Sequence, residues 1–363
     1  MSKLVRIGPM SKPRARDLGV FFDGAPGRNN AIPDVAGVEV GMTTLIQGDA
    51  VRTGVTAILP RGKDTIEPCF AGWFALNGNG EMTGTAWIDE SGFLEGPVMI
   101  TNTHSVGAVH EALIRWQLER AHKGVQPWSL PVVAETWDGY LNNINGFNVK
   151  AEHAFAALDG AAGGAVAEGN TGGGTGMIAY DFKGGTGTAS RVVNVAGGHY
   201  VVAALVQANH GSRGELRIAG VPVGREITDL MPNIPQQQET GSIIAVIATD
   251  APLLPHQLRR VATRAAMGIA RNGAIGGNFS GDMFLAFSTA NTGAARRDEL
   301  VDMQMLPNAQ IDPIFLATVQ CVEEAIINAM VAAETMTGIN GYTVHALPHD
   351  RLREILRRYN RLS

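Results

Sequence analysis

Met231-Pro-Asn-Ile-Pro-Gln-Gln-Gln-Glu-Thr240 runs into Gly241-Ser242 and then into Ile243-Ile-Ala-Val-Ile-Ala248. Two prolines and three glutamines read as an exposed linker, and the β-branched run behind them reads as a buried strand. A hydroxyl residue therefore stands at the mouth of a core strand. The glycine in front of it carries no Cβ, which permits the close approach and unusual dihedrals that backbone chemistry needs.

Outward from that strand, the chain has the composition of an ordinary globular protein. Of 363 residues, 45% are hydrophobic and 17% charged, enough to bury a substantial core in one large domain or two. The best break between halves is 222–240, and no clean linker divides domains, so a single domain over 1–363 is expected. The net charge of −5 offers no electrostatic footprint for nucleic acid. No apolar run is read as approaching membrane-spanning length, and the first residues lack the apolar segment of a signal peptide. Two cysteines, Cys69 and Cys321, stand without metal-type spacing and suit a reducing compartment. Together these features point to the cytoplasm.

The 45 glycines follow no fixed period and punctuate turns instead. Asn170-Thr-Gly-Gly-Gly-Thr-Gly176 and Lys183-Gly-Gly-Thr-Gly-Thr188 read as tight connections between short strands at 177–182 and 191–195. Three helices are expected among the strands. Thr103 is placed to cap the first, over about 104–120, with Val106, Val109, Leu113 and Trp116 on one stripe. A second follows Asp250, with Leu258, Val261, Ala262, Ala265 and Ile269 at spacings of three and four and a stop at Asn272-Gly273. The third covers about 314–337. Clusters of strands between a few long helices imply layered α+β packing.

Several features that could carry chemistry fall away on inspection. Neither glycine run has the Gly-Lys-Ser/Thr ending of a phosphate loop nor G-x-G-x-x-G spacing. Among the histidines, His104, His110, His153 and His256 stand singly, and no metal or other cofactor is expected. A Gly-x-Ser-x-Gly elbow is absent, which narrows the nucleophile to serines at strand edges. Ser242 is one. Ser280 is another, in Gly276-Gly-Asn-Phe-Ser-Gly-Asp282 ahead of the apolar strand Met283-Phe-Leu-Ala-Phe287. Two residues on, Asp282 shares a side with Ser280 if the strand has already begun, and an aspartate can orient a serine hydroxyl. Ser-Gly-Asp is equally a common turn, and the residues alone leave both readings open.

Thr240-Gly-Ser-Ile-Ile-Ala-Val-Ile-Ala-Thr-Asp-Ala-Pro-Leu253 with Pro255-His-Gln-Leu258 resembles the self-cleavage and nucleophile segment of the L-aminopeptidase D-amidase/D-esterase group, which includes the β-peptidyl aminopeptidases. The likeness extends, in order, through Asn29-Asn-Ala-Ile-Pro-Asp-Val35, Arg52-Thr-Gly-Val-Thr-Ala-Ile-Leu-Pro-Arg61 and Leu76-Asn-Gly-Asn-Gly-Glu-Met-Thr-Gly84. It continues through Thr101-Asn-Thr-His-Ser-Val-Gly107, Pro131-Val-Val-Ala-Glu-Thr136, both glycine runs and Leu285-Ala-Phe-Ser-Thr-Ala-Asn291.

The resemblance implies a four-layer αββα sandwich and a precursor that cuts itself between Gly241 and Ser242, into chains 1–241 and 242–363. Its implied catalytic residues are Ser242 as nucleophile, Ser280 and Asp282 beside it, and Asn209 as oxyanion donor; Glu135 would receive the substrate's free amino group. A freed Ser242 α-amine, with an ordinary pKa of about 7.7–8.0, can take up the hydroxyl proton where no histidine partner is evident. Where the family places a tyrosine, two residues beyond the glutamate, this chain has Trp137. An indole N–H can donate to an oxyanion but cannot relay a proton, so Trp137 is read either as a donor or as a pocket wall. The implied substrates are short peptides, amino acid amides or esters, with D- or β-residues among them, and the implied assembly is a homo-oligomer, a tetramer of processed subunits. Two other readings remain: an acyltransferase of the ornithine acetyltransferase type, whose nucleophile is threonine, and a non-catalytic small-molecule-binding protein of the same fold.

Overall fold

The computed structural model describes residues 12–65, 67–120, 128–235 and 241–362. In chain order its elements begin with β1 (Glu39–Gln47), β2 (Val51–Leu59), β3 (Cys69–Ala75), α1 (Thr85–Ser91), β4 (Phe93–Leu94) and β5 (Val98–Asn102). Next come α2 (Val106–Leu118), β6 (Val132–Thr136), α3 (Ala151–Asp159), the short β7 (Ile178–Ala179) and β8 (Phe182–Lys183), and the long β9 (Gly185–Val195) and β10 (Gly198–Asn209). α4 (Val223–Glu226), β11 (Ser242–Thr249), α5 (Pro255–Arg271), β12 (Asp282–Ser288), α6 (Asp312–Val331) and α7 (His349–Arg358) follow.

All eight residues of β11 are buried, so both of its faces must meet apolar partners. Ile243, Ala245 and Ile247 join a core with Leu258, Val261, Ala262, Ala265 and Ile269 of α5 and with Val322, Ala325 and Ala329 of α6. Ile244, Val246 and Ala248 point the other way, into a core with Ile58, Ile100, Val132 and Ala134. That second core lies between two sheets. One is six-stranded, in the order β4-β3-β12-β11-β10-β9, and the other four-stranded, in the order β1-β2-β5-β6. A third core packs Val109, Leu113 and Trp116 of α2 and Ala154, Ala157 and Leu158 of α3 on the outer face of the smaller sheet. Each Val, Ile or Leu side chain so buried contributes about 1.5–3 kcal/mol. The layers are therefore α2 and α3, four strands, six strands, then α5 and α6, the αββα sandwich that the resemblance implied.

Local expectations met the structure unevenly. The first and second helices and their stripes lie where their periodicity put them. α6 begins at Asp312 and stops at Val331, six residues short of the expected end. It is also the one described helix long and apolar enough to cross a membrane, but it is a core helix with 89% of its most apolar stretch buried. The expected strand over 177–182 is instead a hairpin, β7 and β8, whose two turn residues Tyr180 and Asp181 both adopt positive φ, 52° and 58°. The run 183–188 is not a turn. It enters β9, where a Cβ on Gly187 would stand 2.0 Å from the Ala325 carbonyl oxygen. Glycine is needed there because the backbone of α6 lies directly on the strand. Part of the linker read into Met231–Thr240 falls at 236–240, outside the described residues.

Candidate active site

Three adjacent strands deliver polar residues to one end of the larger sheet. Asn209 ends β10 and pairs directly with Ser242, which opens β11. Asp282 opens the parallel neighbour β12, in register with Ile243. Gly241 precedes Ser242 in a tight passage, where a Cβ would stand 2.5 Å from the Asn209 carbonyl oxygen. The small residue read from the sequence is thus required by a close approach of backbone.

Ser242 is buried, and its Oγ accepts a hydrogen bond of 3.0 Å from the Gly281 N–H. Ser280, in the turn just before β12, donates its hydroxyl to Asp282 Oδ1 at 2.5 Å. The same oxygen accepts the Ile243 N–H at 3.2 Å, and Oδ2 accepts from Asn77 Nδ2 at 3.3 Å. Burial pushes the Asp282 carboxyl above its ordinary value, while the Ser280, Ile243 and Asn77 donors pull it back. Ser-Gly-Asp is therefore a turn and an oriented pair at once. Among the described residues, only the Gly281 N–H contacts the Ser242 hydroxyl directly by a hydrogen bond.

Asn209 has its amide held from both sides. Its Oδ1 accepts the Ile178 N–H at 2.8 Å, and its Nδ2 donates to the Trp137 carbonyl at 3.0 Å. A backbone N–H needs an acceptor and a carbonyl needs a donor, so the amide has one possible orientation, with a second Nδ2–H left over.

The smaller sheet supplies the opposite wall. Glu135 on β6 is only 3% exposed; its Oε1 accepts the Glu81 N–H at 2.9 Å and its Oε2 accepts the Thr103 hydroxyl. Burial raises the Glu135 carboxyl above its usual range, against the lowering effect of those two donors. Thr103 does not cap α2 as expected. Asn102 caps the short turn over 103–105 that leads into α2, its Oδ1 accepting the Ser105 N–H at 3.0 Å, and the Thr103 hydroxyl goes to Glu135.

Ser242, Glu135 and Trp137 line one cleft of about 490 Å³ with Asn79, Gly80, Glu81 and Thr103. Ser280 and Asp282 stand behind its wall. The Trp137 ring packs edge-on against Tyr140, centroids 4.7 Å apart. Reading the residues singled out Thr103 only as a helix cap and gave no site role to Asn77 or to the Gly281 and Ile178 amides. Segments 76–84 and 101–107 pointed to two of them, and no chemistry in those polar and glycine residues marked which would matter. No group of three or more His, Cys, Asp or Glu side chains able to hold a metal occurs among the described residues.

A nucleophile candidate opening a central strand of two stacked sheets, flanked by helical layers, is matched by solved structures at high coverage. The L-aminopeptidase D-Ala-esterase/amidase of Ochrobactrum anthropi, described as a prototype for the serine aminopeptidases and a variant of the Ntn hydrolase fold, superposes with a TM-score of 0.91 at 52% identity, over 97% of this chain and 100% of that one. A β-aminopeptidase of a Burkholderia species gives a TM-score of 0.87 at 47% identity, over 95% and 99% of the two chains. The fold is of the Ntn hydrolase class. The β-peptidyl aminopeptidase BapA of Sphingosinicella microcystinivorans is 53% identical over 97% of this chain and 93% of its own length. Residues 30–344 match peptidase family S58, and the chain belongs to that family.

Proposed function

We propose that the chain is a precursor that cleaves itself between Gly241 and Ser242 and then works as a serine aminopeptidase and amidase. The observation that carries this is Ser242, at the mouth of β11 between Asn209 and Asp282, facing the same cleft as the buried carboxylate of Glu135.

In maturation, Ser242 Oγ attacks the Gly241 carbonyl carbon and the Gly241–Ser242 C–N bond breaks. This leaves an ester on Oγ and a free α-amine. Water hydrolyses the ester, giving a Gly241 carboxylate and restoring the hydroxyl. In turnover, the α-amine accepts the Oγ proton as Oγ attacks the substrate carbonyl and passes it to the departing amine, leaving an acyl-Oγ ester. Water then attacks that ester, the α-amine taking its proton and returning it to Oγ as the carboxylate leaves. Asn209 Nδ2–H is proposed to hold the oxyanion, a contribution typically of about 2.7–4 kcal/mol. Asp282 fixes the Ser280 hydroxyl behind the nucleophile. Glu135 takes the substrate's ammonium group, because a buried carboxylate needs a cation and an internal peptide bond offers none.

The substrates proposed are short peptides, amino acid amides and esters with a free amino end. β-Residues and D-alanine derivatives are included because the relatives' names state them. Hydrolysis is favoured over acyl transfer by a serine, in place of threonine, at the head of β11. A cytoplasmic homo-oligomer, a tetramer of processed subunits, is also proposed. Two buried free cysteines and exposed Met267 and Leu316 on the outer helices are in keeping with it.

The test is mass spectrometry with N-terminal sequencing of active enzyme. Scaling 38.4 kDa by 241/363 and 122/363 gives fragments of roughly 25 and 13 kDa, the smaller beginning Ser-Ile-Ile-Ala. Active enzyme consisting of one intact chain would overturn the reading.

A further inference from the structure

The glycine runs on either side of Lys183 have no role in the chemistry above, yet they enclose a lysine that is wholly removed from water. Lys183 Nζ donates to the Met177 carbonyl at 2.6 Å and to the Gly184 carbonyl at 3.0 Å, with Gly174 O at 3.5 Å. No carboxylate forms an ion pair with it among the described residues. The buried Asp138 carboxylate attracts it only through space, so burying this lysine head without a direct counter-ion is costly, and its hydrogen bonds are what hold it.

What they hold is one peptide plane. The Met177 carbonyl and the Ile178 N–H belong to the same amide and point in opposite directions across it. The carbonyl faces Lys183 Nζ and also accepts the Gly184 N–H at 2.9 Å. The N–H faces Asn209 Oδ1 at 2.8 Å. Asn209 in turn carries Nδ2–H on the far side of its own amide.

We propose that Lys183 is a positioning residue for the oxyanion hole, acting through a relay of two amides: Lys183 Nζ to the Met177–Ile178 peptide, and that peptide to the Asn209 side chain. Each amide polarised at its oxygen becomes a better donor at its nitrogen, so a donor at the head of the chain strengthens the last N–H as well as aiming it. The second effect is geometric. Held by Lys183, the 177–178 plane keeps its N–H on Asn209 Oδ1, and that bond with the one from Nδ2 to the Trp137 carbonyl fixes the direction of the second Nδ2–H. Burial pushes the Lys183 ammonium down to about 7, and the relay survives in either protonation state because a neutral amine still has N–H donors for Met177 and Gly184.

This inference rests on Asn209 being the oxyanion donor, and a double-mutant cycle separates the two claims. Steady-state kinetics on an amino acid ester, normalised to processed subunits, would compare Lys183→Met, Asn209→Ala and the double variant. Loss of a coupled donor is expected to lower kcat of Lys183→Met about tenfold with KM within twofold, and to have almost no further effect once Asn209 is Ala. Lys183→Gln, which keeps an N–H for the loop, should recover part of the loss.

Additive losses in the double variant would overturn the relay while leaving Asn209 in its role. An Asn209→Ala enzyme with undiminished kcat would instead overturn the oxyanion assignment itself. Failure of both Lys183 variants to fold would make the residue a support of the fold and likewise defeat the proposal.

Discussion

At the end of the six-stranded sheet, Ser242, Asn209 and Asp282 reach the site from three neighbouring strands, each tied to backbone amides or carbonyls within its own sheet or loops. Across the cleft, Glu135 on the four-stranded sheet is held by the Thr103 hydroxyl and the Glu81 N–H, which come from segments outside its own strand. The first region holds a hydroxyl and its proton traffic in one geometry. The second holds a charge in place and leaves its free face to whatever enters. Bond making and recognition are thus divided between two sheets, and the division gives each substitution its own kinetic signature.

The largest effect belongs to the hydroxyl. Ser242→Ala should abolish both processing and turnover, leaving one 38.4 kDa band on a denaturing gel. Continued splitting at Gly241 in that variant would place the nucleophile elsewhere. Asp282→Asn comes next. It keeps the shape of the side chain and an oxygen for Ser280 and the Ile243 N–H, but it removes the charge that orders the Ser280 hydroxyl and turns a donor toward Asn77 Nδ2. An expected fall in kcat of about 10²-fold, with KM little changed, matches the loss of an oriented group that acts only in the transition state.

Glu135→Gln should separate the two regions most clearly. For substrates with a free amine, kcat/KM is expected to drop by about 10²-fold, the cost of losing a charged partner in a desolvated site, while a simple ester lacking the amine loses little. Equal losses on both would show that Glu135 does not read the ammonium. The pH profile sharpens the same point. Because burial raises the Glu135 carboxyl, the binding-competent carboxylate is lost on acidification at a higher pH than for an exposed glutamate. Amine substrates should therefore show an acid limb above the ordinary carboxylate range, and Glu135→Gln should remove it. The Ser242 α-amine must also be deprotonated to accept a proton, so it gives an acid limb of its own, which should persist with simple esters.

How much of this was visible in the amino-acid order depended on whether side chains or backbone made the decision. β11 could be read because its apolar run needs burial on both faces, and α5 could be read because Leu258, Val261, Ala265 and Ile269 form one stripe. The layer count came from resemblance, as periodicity reveals which face is buried but not what covers it. β9 was misread because Gly187 accommodates the backbone of α6, a contact between elements more than a hundred residues apart. Thr103 was misread for a related reason: a hydroxyl at a helix start has a local use, and only the fold shows that Asn102 has taken it. Ile178 carries no chemical mark whatever, because its contribution to the site is a main-chain N–H.

The smallest expected effect concerns the residue that touches both regions. The Trp137 carbonyl receives Asn209 Nδ2, while the ring lines the cleft beside Glu135. These are separable, since a side-chain substitution leaves the carbonyl in place. The ring folds back over its own turn, with Nε1 only 3.0 Å from where a Cβ on Gly139 would stand, and it meets Tyr140 edge-on. That placement favours a wall over an oxyanion donor. Trp137→Phe should then raise KM a few-fold, about the cost of trimming apolar contact in a binding pocket, with kcat nearly unchanged. If the indole N–H did reach the oxyanion, the same change would cost about 10²–10³ in kcat. A result of that size would move Trp137 from recognition to bond making, and the four-stranded side would hold part of the machinery now placed on the six-stranded side alone.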